Sequence, residues 1–244
     1  MRLAVIGAVT FVALLSVTGC KKKGGLFCYK SNGDIKTEVR VHEGFDEVSL
    51  STSADVKIIQ GENYSVEVIA SENILPIIKT KVSGSTLKID LKNNTCLKSK
   101  DDIKVNVIMP ELKGLNISGS GEIRMPNKMT TNDLDVKISG SGDIVADSLF
   151  NNDLSVNISG SGDLFLESLD TSHSNDIRIS GSGKLNLFGM PVLKSTVNIS
   201  GSGQCDLNVV ESLDVKISGS GDLRYIGNPS VYQTISGSGS VRPY

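Results

Sequence analysis

The sequence has no tryptophan, and aromatic residues make up only 5% of it. That excludes an aromatic platform of the kind that stacks on sugar rings, and it leaves burial to Leu, Ile and Val. Histidine occurs only as His42 and His173, far apart in the chain. No nucleophile–His–acid set stands out, and no Gly-rich loop opens a helix to cradle a phosphate. Charge of one sign is lacking too. Lys and Arg number 25 against 27 Asp and Glu, a net charge of −2, with both signs interspersed. Nucleic acid is therefore not an expected partner. After the first residues, no run is apolar enough to span a bilayer.

What is present begins with an address. Arg2 precedes an apolar run, Leu3 to Val17, that ends in "VTGC", Val17 to Cys20. A positive start, an apolar core and small residues before the cut describe a secretory signal over residues 1–19. Cys20 directly after Gly19 makes it a lipoprotein signal, with Cys20 as the acylated first residue. The competing readings are an ordinary signal with an incidental cysteine, or a transmembrane anchor. The run is shorter than the roughly 20 residues a transmembrane helix needs. The expected partner is thus a membrane, held through an N-terminal lipid anchor in the cell envelope, with the outer membrane preferred and the facing side open. Residues 20–29 form the lipidated cysteine and tether. Within them "KKKGG" is either a headgroup contact or a solvated linker.

Three further cysteines remain in a compartment that permits disulfides. Cys28 and Cys96 lie outside the strict repeats and are paired on that ground, whereas Cys205 sits in a repeat as a lone buried thiol. Their spacings match no metal site.

The second feature is a repeat. "ISGSG" or a close relative recurs with its isoleucine at Ile117, Ile138, Ile158, Ile179, Ile199, Ile217 and Ile235, at intervals of 18 to 21 residues. In "LDVKISGSGDIVA", Leu134 to Ala146, apolar residues and glycines alternate with polar residues. A period of two is the mark of a strand with one buried face. A unit of about 20 residues cannot bury that face alone, but stacked units can. The expected fold is all-β: a right-handed parallel β-helix over residues 111–244, its rungs about 4.8 Å apart.

Residues 30–110 alternate as well but repeat less strictly. They predict a β-rich, partly antiparallel N-terminal part that caps the first rung, continuous with the solenoid as one domain over 30–244. Two segments look like eroded repeats, "LSTSADVKI" (Leu50 to Ile58) and "VSGSTLKI" (Val82 to Ile89).

In each rung two core-side positions are glycine, which fits a tight corner or a close approach of opposite walls. The serines between them then point outward, as a possible ladder of Ser118, Ser120, Ser139, Ser141, Ser159, Ser161, Ser180, Ser182, Ser200, Ser202, Ser218 and Ser220. If the corner breaks alternation, one serine turns inward instead. The corner is read first as architecture. Its functional reading is a polar ridge for a flat repeating surface such as glycan; ice is less suited, because serine lacks the methyl of threonine. A second column runs Glu122, Asp143, Asp163, Lys184, Gln204, Asp222 and Ser240. Solvated surface is the expectation there, with a calcium ion between Asp143 and Asp163 as the alternative. Lys137 and Asp143 are expected to pair weakly across the corner.

"FDEVSLSTSADVKIIQGENYSVEV" (Phe45 to Val68), "SGSTLKI" (Ser83 to Ile89), "IKVNVIMPELKGLNISGSGEI" (Ile103 to Ile123) and the later repeats resemble the putative auto-transporter adhesin, head GIN domain family. The resemblance covers about Gly33 to Val241. It implies a β-helical fold and a bacterial envelope location, and it supplies no catalytic or binding residues.

The expected function is non-catalytic: interaction, adhesion or a structural role at the envelope, toward a glycan or protein partner, with no cofactor. The alternative is an envelope polysaccharide lyase or hydrolase on the same scaffold. Such enzymes need a groove with clustered carboxylates, and no loop insertion between rungs suggests one. A homo-oligomer packed through solenoid ends or faces is a third reading.

Overall fold

The computed structural model describes residues 27–93, 95–98 and 103–244. Residues 1–26 lie outside it, so the signal segment, Cys20 and "KKKGG" fall outside the described residues.

Alternation becomes a three-sided solenoid. On the first face, Gly114–Ile117, Asp133–Ile138, Asp153–Ile158 and Ser172–Ile179 stack in parallel. The second halves of the long strands Lys184–Ile199 and Gln204–Gly219 follow, then Ser230–Gly237. The register puts Ile117, Ile138, Ile158, Ile179, Ile199, Ile217 and Ile235 in one column. On the second face, Glu122–Met125, Asp143–Ala146 and Leu164–Leu166 stack beneath the first halves of the long strands. Asp222–Ile226 and Ser240–Pro243 complete that face. The third side is narrow: Met129–Thr130 pairs with Leu149–Phe150. The inward residues are almost all aliphatic and buried, Ile138 at 1% and Ile158 at 0% exposure among them. Each such side chain contributes about 1.5–3 kcal/mol on burial, which is how a chain poor in aromatics stays folded.

Of the two eroded repeats, one is a rung and the other is not. Glu47–Leu50 and Asp55–Gln60 lie directly under Gly114–Ile117 and Glu122–Met125, so "LSTSAD" turns the same corner as "ISGSGE". "VSGST", by contrast, is a hairpin. Ile78–Ser83 runs antiparallel to Thr86–Leu91, with Gly84 at φ 63° in the turn. The repeat lettering misleads there because Ser-Gly-Ser also suits a tight reversal, where positive φ asks for glycine.

The spatial order of the first rungs is not the chain order. Below Glu47–Gln60 lies a rung made by the later segments Thr86–Leu91 and Lys104–Met109. The chain reaches it by reversing: Ser65–Ser71 runs antiparallel to Lys104–Met109 and to Ile35–Arg40. A 3-10 turn, Leu75–Ile77, then crosses from the second face to the first. Ile74, Leu75 and Ile77 join the core at this base, so the lower end is plugged. Phe27–Tyr29 pairs with Thr95–Leu97 beside it. There Cys28 and Cys96 are register partners with Cα atoms 4.4 Å apart, joined as a disulfide.

The glycines of the corner have a cause other than a corner bend or facing walls. A Cβ on Gly140, Gly160 or Gly181 would run into the carbonyl oxygen of the equivalent glycine one rung below. A Cβ on Gly142, Gly162 or Gly183 would also strike the γ2 methyl of the isoleucine below, at 2.7 to 2.8 Å. Crowding along the stack, not across the interior, excludes a side chain.

Candidate binding ridge

The corner between the first and second faces is built by backbone. Ser139 donates its N–H to Ile117, Ser141 to Gly119 and Asp143 to Gly121, at 2.8 to 3.1 Å. The pattern returns rung after rung, as in Ser159 to Ile138 and Ser161 to Gly140. With the peptide groups satisfied through the stack and the second glycine of each corner buried, the serines are left outside. Ser118, Ser120, Ser139, Ser141, Ser159, Ser161, Ser180, Ser182, Ser200, Ser202, Ser218 and Ser220 are all exposed. Ser118 Oγ donates to Ser51 Oγ at 3.0 Å, which carries the row one rung down. The result is a ridge of hydroxyls spaced by the rung height of about 4.8 Å, each able to donate one hydrogen bond and accept others.

The column after the corner is open to solvent at Asp143, Asp163 and Lys184, and its aspartates also make hydrogen bonds along the stack. Asp143 Oδ1 accepts the N–H of Asp163 at 2.9 Å, and Asp163 Oδ1 accepts the N–H of Lys184 at 2.9 Å. Asp222 Oδ1 likewise accepts from Ser240, at 3.1 Å. These carboxylates tie one rung to the next, and among the described residues no cluster of three or more His, Cys, Asp or Glu is arranged to hold a metal ion. Lys137 does not reach across the corner to Asp143. It pairs with Asp135, two residues back on the same strand face, as Arg178 does with Asp176. Residues i and i+2 of a strand share a face, and that shorter reach wins.

The remaining titratable groups are scattered. His173 meets Asp153 at 3.2 Å on the outer surface, and the Ser174 hydroxyl holds the Asp153 carboxyl below its usual range. His42 lies at the base, its Nε2 2.9 Å from Thr80 Oγ1, with its pKa lowered first by burial and then by Arg40. The Cys205 thiol is fully buried, and burial pushes its pKa far above the ordinary range, so it is an inert core group.

Two further features lie apart from the serine ridge and the aspartate column. Arg224 forks onto Asp206, its register partner one rung below. Its guanidinium sits over Tyr244 and Phe188. Their offset of 18 positions equals one rung, the only sequence signal that would have joined them. The second feature is a groove at the base between Ile35–Arg40 and Ile78–Ser83, which no local motif marks.

The family model of the putative auto-transporter adhesin, head GIN domain, matches residues 44–229, from the first true rung to near the last. The chain belongs to this family. Among solved structures, a putative adhesin from Bacteroides fragilis is 22% identical, with a TM-score of 0.84 over 88% of this chain and 100% of its own. A putative lipid binding protein from Parabacteroides distasonis is 26% identical, with a TM-score of 0.75 over 88% and 99%. A putative adhesin from Parabacteroides merdae is 21% identical, with a TM-score of 0.68 over 89% and 99%. No curated protein sequence matches the chain. These structures share the solenoid.

Proposed function

We propose that this head GIN protein is an envelope adhesin without catalytic function, held on a membrane by acyl chains on Cys20. It meets its partner through the serine ridge. The observation that carries this reading is the coincidence of two periods. Each rung has glycines where the rung below leaves no room for a side chain, and exposes its serines. Hydroxyls therefore recur along one rigid line. A polymer with regularly spaced hydroxyls, such as a glycan, can meet such a line with several weak hydrogen bonds at once, and multivalency then makes up for the weakness of each. The family's adhesin name and the lipid-binding name of the Parabacteroides distasonis relative support the same setting.

A glycan-array screen tests the ridge. The purified protein is compared with Ser139→Glu/Ser159→Glu/Ser180→Glu, changes at exposed positions that leave the core untouched. Loss of the bound glycans in the variant is the expected result. Binding that is unchanged by three carboxylates along the ridge would place recognition elsewhere.

A further inference from the structure

The two ends of the solenoid differ in what they expose. At the base, the outermost strands are Ile35–Arg40 on the second face and Ile78–Ser83 on the first. Both carry charges, as edges left open to water usually do. Yet Ile35, Val39 and Val41 are 56%, 65% and 87% exposed on the outer side of the first of these strands and just beyond it. Between the two strands an open groove of about 660 Å³ is lined by Val39, Val41 and Pro76 on one hand and by Lys79 and Lys81 on the other. Its other charges are used internally. Arg40 pairs with Glu38 and donates to the carbonyls of Leu75 and Ile78, while His42 is held toward its neutral form. Lys79 and Lys81 are thus the free cations of the groove among the described residues. The acidic residue that lines the groove is Glu38, already paired with Arg40, and Asp90 stands in register beside Lys79 without an ion pair to it.

The chain also enters at this end. Phe27–Tyr29 pairs in parallel with Thr95–Leu97, and Asn73 in the base binds Lys30 and Asn32 through its side chain. Phe27 is seven positions after Cys20, and seven steps of fully extended chain span at most about 25 Å.

We infer that the base is a membrane-contact surface. Val39, Val41 and Ile35 meet the boundary of the acyl region, and Lys79 and Lys81 meet anionic phospholipid headgroups. The assignment rests on the acylation of Cys20 proposed above. An acylated Cys20 keeps the base within about 25 Å of the headgroups. Apolar side chains flanked by lysine are the side chains an anionic interface accepts. The anchor then does more than retain the protein: a second, weaker contact stands the solenoid on its base and holds the serine ridge away from the bilayer.

The absence of tryptophan supplies the test. Full-length protein, processed and acylated in a bacterial host, is placed in vesicles containing phosphatidylglycerol and brominated phospholipid. Val41→Trp reports on the base and Tyr232→Trp on the far end, where Tyr232 is 67% exposed. Most of the Val41→Trp fluorescence should be quenched, and that of Tyr232→Trp should not. Adding Lys79→Glu/Lys81→Glu should restore fluorescence at position 41 without releasing the protein from vesicles. Equal quenching at both ends, or none at position 41 while the protein stays on vesicles, overturns the base contact alone. Quenching that ignores Lys79→Glu/Lys81→Glu overturns the headgroup role of the lysines. Failure of the protein to associate with vesicles at all overturns the anchor and the contact together.

Discussion

A Cβ on Gly162 would sit 2.8 Å from Cγ2 of Ile138, one rung below. Glycine and isoleucine in "ISGSG" are therefore not independent choices. Each buried glycine leaves the space that the isoleucine beneath it fills. Gly162→Ala should push apart two rungs that cannot shift singly, because both belong to a continuous ladder. The expected cost is about 1–3 kcal/mol, the usual range for overpacking a close-packed interior. Ser161→Ala, one residue away and exposed, should change stability by no more than about 0.5 kcal/mol. Denaturant unfolding of the pair checks this, and equal midpoints would remove the stacking account of the glycines.

The core column contains two buried polar neighbours without hydrogen-bond partners among the described residues, Asn175 and Ser195. Asn175 stands in register between Leu154 and Ser195, with Leu213 above, and is 3% exposed. Neither Asn175 Nδ2 nor Oδ1 has a hydrogen-bond partner among the described residues. Replacing the carboxamide by the leucine found elsewhere in the column removes that burden. Asn175→Leu should raise stability by about 1–3 kcal/mol, with the urea midpoint higher and the slope unchanged. A lower midpoint would mean that the carboxamide is satisfied.

The aspartates after the corner predict a contrast between isosteres. Asp143 works as a hydrogen-bond acceptor for the N–H of Asp163. Asp143→Asn keeps an acceptor oxygen, and Asp143→Ala does not. The alanine variant should lose about 1 kcal/mol and the asparagine variant a fraction of that. Thermal unfolding with calcium and with chelator should give the same midpoint. A calcium-dependent midpoint abolished in Asp143→Asn would establish the bridged-cation alternative.

His42 gives the base a dependence on pH. Its folded pKa lies below the ordinary 6.5, so the unfolded chain binds the proton more readily. Stability from this group is complete above pH 6.5 and falls as the pH drops from there through the lowered value. His42→Gln should flatten that slope between about pH 7 and 5, as followed by denaturant midpoints across the range. An unchanged slope in the variant would assign the dependence to other groups.

The solenoid was legible because its evidence is periodic. Alternation from Leu134 to Ala146 states which side is buried, and the return of Ile117 at Ile138 and Ile158 states the rung. A hairpin defeats the same logic. At Val82 to Thr86 the lettering of the corner serves a reversal, and only the antiparallel partner Ile78–Ser83 reveals it. Nor does periodicity reveal that Thr86–Leu91 and Lys104–Met109 lie beneath Glu47–Leu50 and Asp55–Gln60, since that order depends on a reversal at Ser65–Ser71. The ridge could be proposed from the sequence because its serines are spaced by the repeat. The base groove could not, because Val39 and Lys81 come from strands far apart in the chain with no shared motif.

The central claim is that Cys20 fixes this solenoid to a membrane, and fractionation of cells tests it most directly. The full-length protein and its Cys20→Ser variant are expressed side by side, and membrane and soluble fractions are probed for each. The account predicts the unaltered protein in the membrane fraction and the Cys20→Ser variant released from it. Retention of Cys20→Ser in the membrane fraction would contradict the lipid anchor.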